Sequence, residues 1–118
     1  YYYYYYYYYY YYYYYYYMAL IDQYSFLHFC VGGIAYFWKI GLIPWIILHI
    51  LFEIIENTSW GILFINKYFK LWPGGKGGPD DTWNSVMDNI FAILGWLVSY
   101  YLDYLGSKYN WYSQHIRN

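Results

Sequence analysis

The sequence predicts an all-α fold, a polytopic membrane helical bundle of about three transmembrane helices around a polar interior stripe. Three observations carry that expectation. Long apolar segments recur between residues 24 and 105. The middle one contains His49, Glu53, Glu56 and Asn57, which at about 100° per residue share a stripe of helix surface roughly 80 to 100° wide. Trp38, Trp45, Trp72, Trp83, Tyr100, Tyr101 and Tyr104 gather near the expected segment ends, as an interfacial aromatic belt does.

The elements follow in order. The unbroken run Tyr1 to Tyr17 ahead of Met18 reads as stand-in residues for unidentified chain or as an artefact rather than an encoded segment, and it is set aside. Residues 18–118 then form one helical membrane domain. The first apolar segment predicts a helix near residues 24–40; its most apolar stretch, from Tyr24 to Trp38, spans only about 22 Å against a hydrocarbon layer of about 30 Å. Pro44 suits the first turn of a second helix near residues 44–65, long enough to cross, with Asn57-Thr58-Ser59 as a place where it could break. A Gly-rich loop over residues 66–82 follows. Asp81 or Thr82 caps a third helix near residues 83–105, and Gly106 is placed to end it.

Composition excludes several classes. Six Lys and Arg stand against seven Asp and Glu, so there is no basic surface for DNA or RNA, and no nucleic-acid partner is expected. The single Cys30 allows no internal disulfide and gives no zinc-site spacing. Met18 is followed by Asp22 rather than a basic region, which does not fit a signal peptide. In the loop, Lys76 is followed by Gly77 rather than Ser or Thr, so the glycines are not read as a phosphate loop, and no cofactor is expected. Asn57-Thr58-Ser59 matches a glycosylation sequon, but its apolar setting argues against modification.

The acids in the middle segment are costly. About a dozen Leu, Ile and Phe residues at roughly −0.3 to −0.6 kcal/mol each contribute some −4 to −7 kcal/mol to insertion, and two central acids at about +2.5 to +3.5 kcal/mol each cancel most of it. Such a helix pairs its polar stripe with a neighbour or carries its acids protonated. The third helix offers the match, with Asn84, Asp88, Gly95 and Ser99 on one face. His28 and the Gly32-Gly33 pair of the first helix complete the contact, His28 reading as a packed histidine rather than a ligand.

The motif His49-x3-Glu53-x2-Glu56-Asn57, followed by Asp80-x3-Asn84-Ser85-x2-Asp88 and a Gly95-containing apolar helix, resembles the VanZ-like membrane proteins and a set of small bacterial membrane proteins related to them. The similarity covers about Trp45 to Tyr101. It implies a polytopic helical membrane protein and little about chemistry. The Gly-rich loop here departs from the Arg- and Tyr-containing linker associated with those relatives.

Two function classes follow. In the first, the chain is a structural component of a membrane-containing assembly, with the lipid bilayer and other protein subunits as partners. A minor capsid protein linked to the internal membrane of a large virus particle fits best, with an accessory subunit of an organellar membrane complex as the competing host. In the second, His49, Glu53, Glu56 and Asp88 form an intramembrane metal-dependent or acid–base centre that hydrolyses a lipid-linked substrate, since mixed His and carboxylate ligands suit zinc, iron or manganese. The structural reading needs contacts between exposed aromatics and other chains. The enzymatic one needs a cavity at the polar stripe.

Overall fold

The computed structural model describes residues 21–111 and is all-helical over that range. The tract from Tyr1 to Tyr17 lies outside the described residues. Four helices follow one another: α1 (Gln23–Phe37), α2 (Leu42–Glu56), α3 (Ser59–Tyr68) and α4 (Thr82–Tyr109).

Local chemistry sets each boundary. The Asp22 carboxylate accepts from the Tyr24 and Ser25 amides, and the Ser25 hydroxyl accepts from the Asp22 amide, a reciprocal cap that starts α1. At its far end Ile40 N–H donates to Ala35 O and Lys39 N–H to Tyr36 O, which requires Lys39 to adopt a left-handed φ of 65°. The α4 helix begins after Asp81, whose side chain makes no capping bond. It runs past Gly106 to Tyr109, because left-handed Asn110 and Trp111 turn their amides back onto the Gly106 carbonyl.

The middle helix expected over residues 44–65 is instead two helices meeting at 95°. Asn57 closes α2 by donating its side-chain amide to Glu53 O at 2.8 Å, and Thr58 opens α3 by accepting from Gly61 N–H at 3.0 Å. Two adjacent side chains that each satisfy a helix end make the bend a property of the sequence.

Among the described residues, α4 alone is a single helix long and apolar enough to cross a membrane, and α2 with α3 passes the same test only as a bent pair. The α1 helix, at 15 residues, is shorter than a span needs. Of the apolar window of α4, 17% is buried.

Close contacts order the helices. Ser25 and Tyr36 of α1 meet Asp88 and Asp103 of α4, so these two run parallel. Trp45 and Asn57 meet Ala92 and Ser85, so α2 runs antiparallel to α4. A β-carbon on Gly32 would land on the Ala92 carbonyl, and one on Gly95 on the Phe29 carbonyl, so the α1 and α4 backbones touch where only glycine fits. Ala35, Trp45 and Ala92, with Val31, Ile40 and Trp96 against them, form a small apolar core. Trp45 therefore belongs to the core, not to an interfacial belt, and its indole N–H donates to Ala92 O. Trp38, Trp83, Tyr100, Tyr101 and Tyr104 are exposed as a belt requires.

Candidate functional site

The interior is more polar than the surface. Ser25, His28, His49, Glu53, Glu56, Asn84 and Asp88 are all buried, while Phe26, Ile47, Leu51, Ile54, Leu63 and Leu97 are exposed. Helical spacing explains the gathering. His49, Glu53 and Glu56 come round one face of α2, Ser25 and His28 one face of α1, and Asn84 and Asp88 one face of α4. The three faces meet near the start of α1 and α4 and the end of α2.

His28 occupies the middle. Its Nε2 lies 3.5 Å from Glu53 Oε1 and 3.4 Å from Asp88 Oδ2, and its Nδ1 lies 2.8 Å from His49 Nε2. His49 Nδ1 in turn lies 2.8 Å from Asn89 Oδ1, and the Asn89 amide donates to Ser85 O at 3.0 Å. That last bond orients the amide and leaves Oδ1, which only accepts, facing His49. In neutral rings, His49 then carries its proton on Nδ1 and accepts at Nε2, and His28 carries its proton on Nδ1. The lone pair of His28 Nε2 faces two carboxylates.

Each of those carboxylates is steadied through its other oxygen. Asn57 Nδ2 reaches Glu53 Oε2 at 3.4 Å, and the Ser25 hydroxyl reaches Asp88 Oδ1 in a long contact of 3.5 Å. Glu53 Oε1, deeply buried, has no hydrogen-bond partner, nor has Glu56 Oε2.

Lys76 answers the charge of Glu56 instead. Its ammonium stands 3.5 Å from Glu56 Oε1, donates to Asn57 Oδ1 at 3.3 Å and pairs with Asp80. The loop is planted for this: the Asn66 side chain donates to Lys76 O at 2.6 Å and accepts from Lys76 N at 3.2 Å. Burial alone depresses the Lys76 pKa, but the hydrogen bond to Asp80 and the fields of Glu56, Asp80 and Glu53 outweigh it and leave it above the ordinary lysine value.

A cavity of about 510 Å³ opens beside the histidines, bounded by His28, His49, Trp45, Leu48, Phe52, Trp60, Phe64, Ile65, Phe69 and Trp72. It exists because α3 turns away from α2 at Asn57 and Thr58. Its lining is almost wholly apolar except for the two imidazoles, and its volume is that of a small-molecule pocket.

The structure thus draws His28, His49, Glu53, Glu56, Asn57 and Asp88 into one region, with buried Asn84 one turn before Asp88 on α4. Ser99 is not among them; it lies about 16 Å farther along α4 than Asp88, against Gly33. Lys76 and Asn89 were missed by sequence reasoning. For Lys76 the available signal was an excess of acids over bases in an apolar chain. Asn89 sits one position off the face that Asn84 and Asp88 define.

The chain matches no family model, no curated protein and no solved structure. Its chemistry is read from its own geometry.

Proposed function

We propose that the chain is a small polytopic integral membrane protein whose buried centre binds a lipid-linked substrate and hydrolyses it by acid–base chemistry. The observation that carries this reading is the shared wall: His28 and His49 belong both to the carboxylate cluster and to the apolar cavity. An amphiphile with its chain in the cavity therefore brings its head to the two imidazoles, behind which Glu53 and Asp88 lie. Glu53, with one carboxylate oxygen unpartnered, is the group able to accept a proton from water as its oxygen attacks and to return that proton to the oxygen that leaves. His28 and His49, oriented by Asn89, hold the ring geometry, and Lys76 holds Glu56.

Depth supports the same substrate class. The 28 residues of α4 measure about 42 Å, and centred on a hydrocarbon layer of about 30 Å they leave about 6 Å at each end. Asp88 lies about 9 Å into the helix, hence about 3 Å inside the hydrocarbon boundary, just beneath the lipid head groups. The exposed apolar surface of α1, α2 and α4 supports membrane embedding, with the bent α2–α3 pair entering the bilayer beside α4. The motif resemblance to VanZ-like proteins belongs to this proposal.

The test is turnover of lipid phosphates by the detergent-purified chain, beside native mass spectrometry for retained lipid. Wild type is expected to retain lipid and release product, Glu53→Gln to retain lipid without turnover, and Ile65→Trp, which fills the cavity, to lose both. A wild-type chain that neither retains lipid nor turns it over would sink the reading.

A second reading is that of a structural subunit, as in a virion membrane or an organellar complex. It is favoured by the exposed aromatics Phe26, Phe37, Trp38, Trp60, Trp83 and Trp111, which suit contacts with neighbouring chains. Cross-linking of the chain to partner proteins within its native membrane distinguishes it.

A further inference from the structure

We propose that His28, Glu53 and Asp88 bind one divalent first-row transition metal ion, zinc or manganese by the character of the donors. This rests on and deepens the reading of the centre described above: with the ion bound, Glu53 Oε1 would be a ligand, and the ion would supply the activation of water assigned there to the carboxylate alone. Three observations converge on it.

The first is the proton chain. Asn89 Oδ1 fixes the proton of neutral His49, His49 fixes that of neutral His28, and the His28 Nε2 lone pair is left aimed at Glu53 Oε1 and Asp88 Oδ2. Three acceptors facing one another repel unless a cation stands between them or a carboxyl carries a proton, and the metal titration below separates the two. The orienting N–H contact on the far ring nitrogen is the arrangement metal-binding histidines use.

The second is spacing. Ligand atoms placed tetrahedrally at about 2.0 to 2.2 Å from an ion stand about 3.3 to 3.6 Å apart. Two edges of such a site are present, His28 Nε2 lying 3.5 Å from the Glu53 oxygen and 3.4 Å from the Asp88 oxygen, while Glu53 and Asp88 oxygens come within 4.8 Å of each other in a set with Asp80 rather than with His28. Asp80 supplies a further carboxylate close by, since oxygens of Glu53, Asp80 and Asp88 lie within 4.8 Å of one another.

The third is charge and satisfaction. Glu53, Glu56 and Asp88 are three buried acids, and Lys76 stands 3.5 Å from Glu56, leaving Glu53 and Asp88 facing His28. A divalent ion matches those two charges. Glu53 Oε1 is the buried oxygen without a partner, and it is the oxygen that faces His28.

The experiment is metal analysis of the full chain purified in detergent, with titration by ZnCl2, MnCl2 and CoCl2. About one ion per wild-type chain is expected, and Co2+ should give the intense visible bands of a four- or five-coordinate site. Glu53→Gln and Asp88→Asn should weaken binding at least about 100-fold while helical content and elution volume stay unchanged. Glu56→Gln, which alters the Lys76 pair instead, should keep one ion per chain. The Co2+ spectrum needs no variant, so misfolding of a mutant does not remove the test. Absence of binding by wild type, or equal binding by Glu53→Gln, overturns the inference, and so does a metal-free wild type in which nitrogen NMR shows His28 as an imidazolium. Ile65→Trp separates this inference from the substrate reading. A chain that loses lipid but keeps its ion upholds the metal site whatever becomes of the substrate, and a chain that retains lipid but binds no ion overturns the metal site alone.

Discussion

The carbonyl of Ala92 accepts the Trp45 indole N–H at 3.1 Å, on the same stretch of α4 where Gly32 brings the α1 backbone into contact. Three helices therefore meet around one backbone unit. The tolerance of that junction to added volume should be very small.

Gly95→Val and Gly32→Val are expected to destabilise the fold by about 3 kcal/mol or more, because the added carbon meets backbone, which cannot rotate away. Gly77→Ala and Gly78→Ala, where a β-carbon meets nothing within 4 Å, should stay within about 0.5 kcal/mol of wild type. Thermal unfolding in one detergent compares all four, and similar losses at Gly95 and Gly77 would contradict the close approach.

Lys76→Met strips the counter-charge from buried Glu56 and should cost about 3 kcal/mol. Adding Glu56→Gln should recover most of that loss, since the stranded charge disappears with it. The pH dependence has a definite sign. A lysine pKa raised on folding means that the folded chain holds this proton more tightly, so its contribution is complete below about pH 10.5 and fades as pH climbs through the raised value. Between pH 9 and about 12, wild type should therefore lose melting temperature faster than Lys76→Met; parallel curves would show that Lys76 contributes nothing.

Lys39→Gly should stabilise the chain by about 1 kcal/mol. The residue sits at a left-handed φ of 65° that costs a side-chain-bearing residue about 1 to 2 kcal/mol and glycine almost nothing. Denaturant titration reads the difference directly, and an unchanged midpoint would mean that the turn relaxes.

Asn89→Leu removes the acceptor that fixes the His49 proton, and through it the free lone pair of His28. Metal affinity is expected to fall about 10- to 100-fold with helical content preserved. A Co2+ titration identical to wild type would show that the ring orientation is set by something else.

Periodicity made much of this legible. The apolar segments announced helices, and a single stripe on α2 placed His49, Glu53 and Glu56 inward before any contact was known. The same argument placed Asn84 and Asp88. His28 looked like a packed histidine because a lone imidazole on an apolar helix carries no spacing signal; its role depends on what α2 and α4 bring to it. Lys76 lies in a glycine-rich loop, where no period operates and position comes from the Asn66 bracket. Trp45 fitted an interfacial belt by its place at a helix start, yet the helix turns that position towards Ala92. The Asn57-Thr58 break was readable as a possibility, but its 95° angle depends on how α3 packs.

The glycine contacts divide the centre unequally. His28 and Asp88 ride on α1 and α4, fastened backbone to backbone, whereas His49 and Glu53 ride on α2, which ends in a sharp corner and is tied to α4 chiefly through the side chains of Trp45, His49 and Asn57. The polar centre is therefore two half-sites, one on helices joined backbone to backbone and one on a helix joined to them by side chains. Whatever occupies the space between Glu53 and Asp88 therefore also ties α2 to the α1–α4 pair.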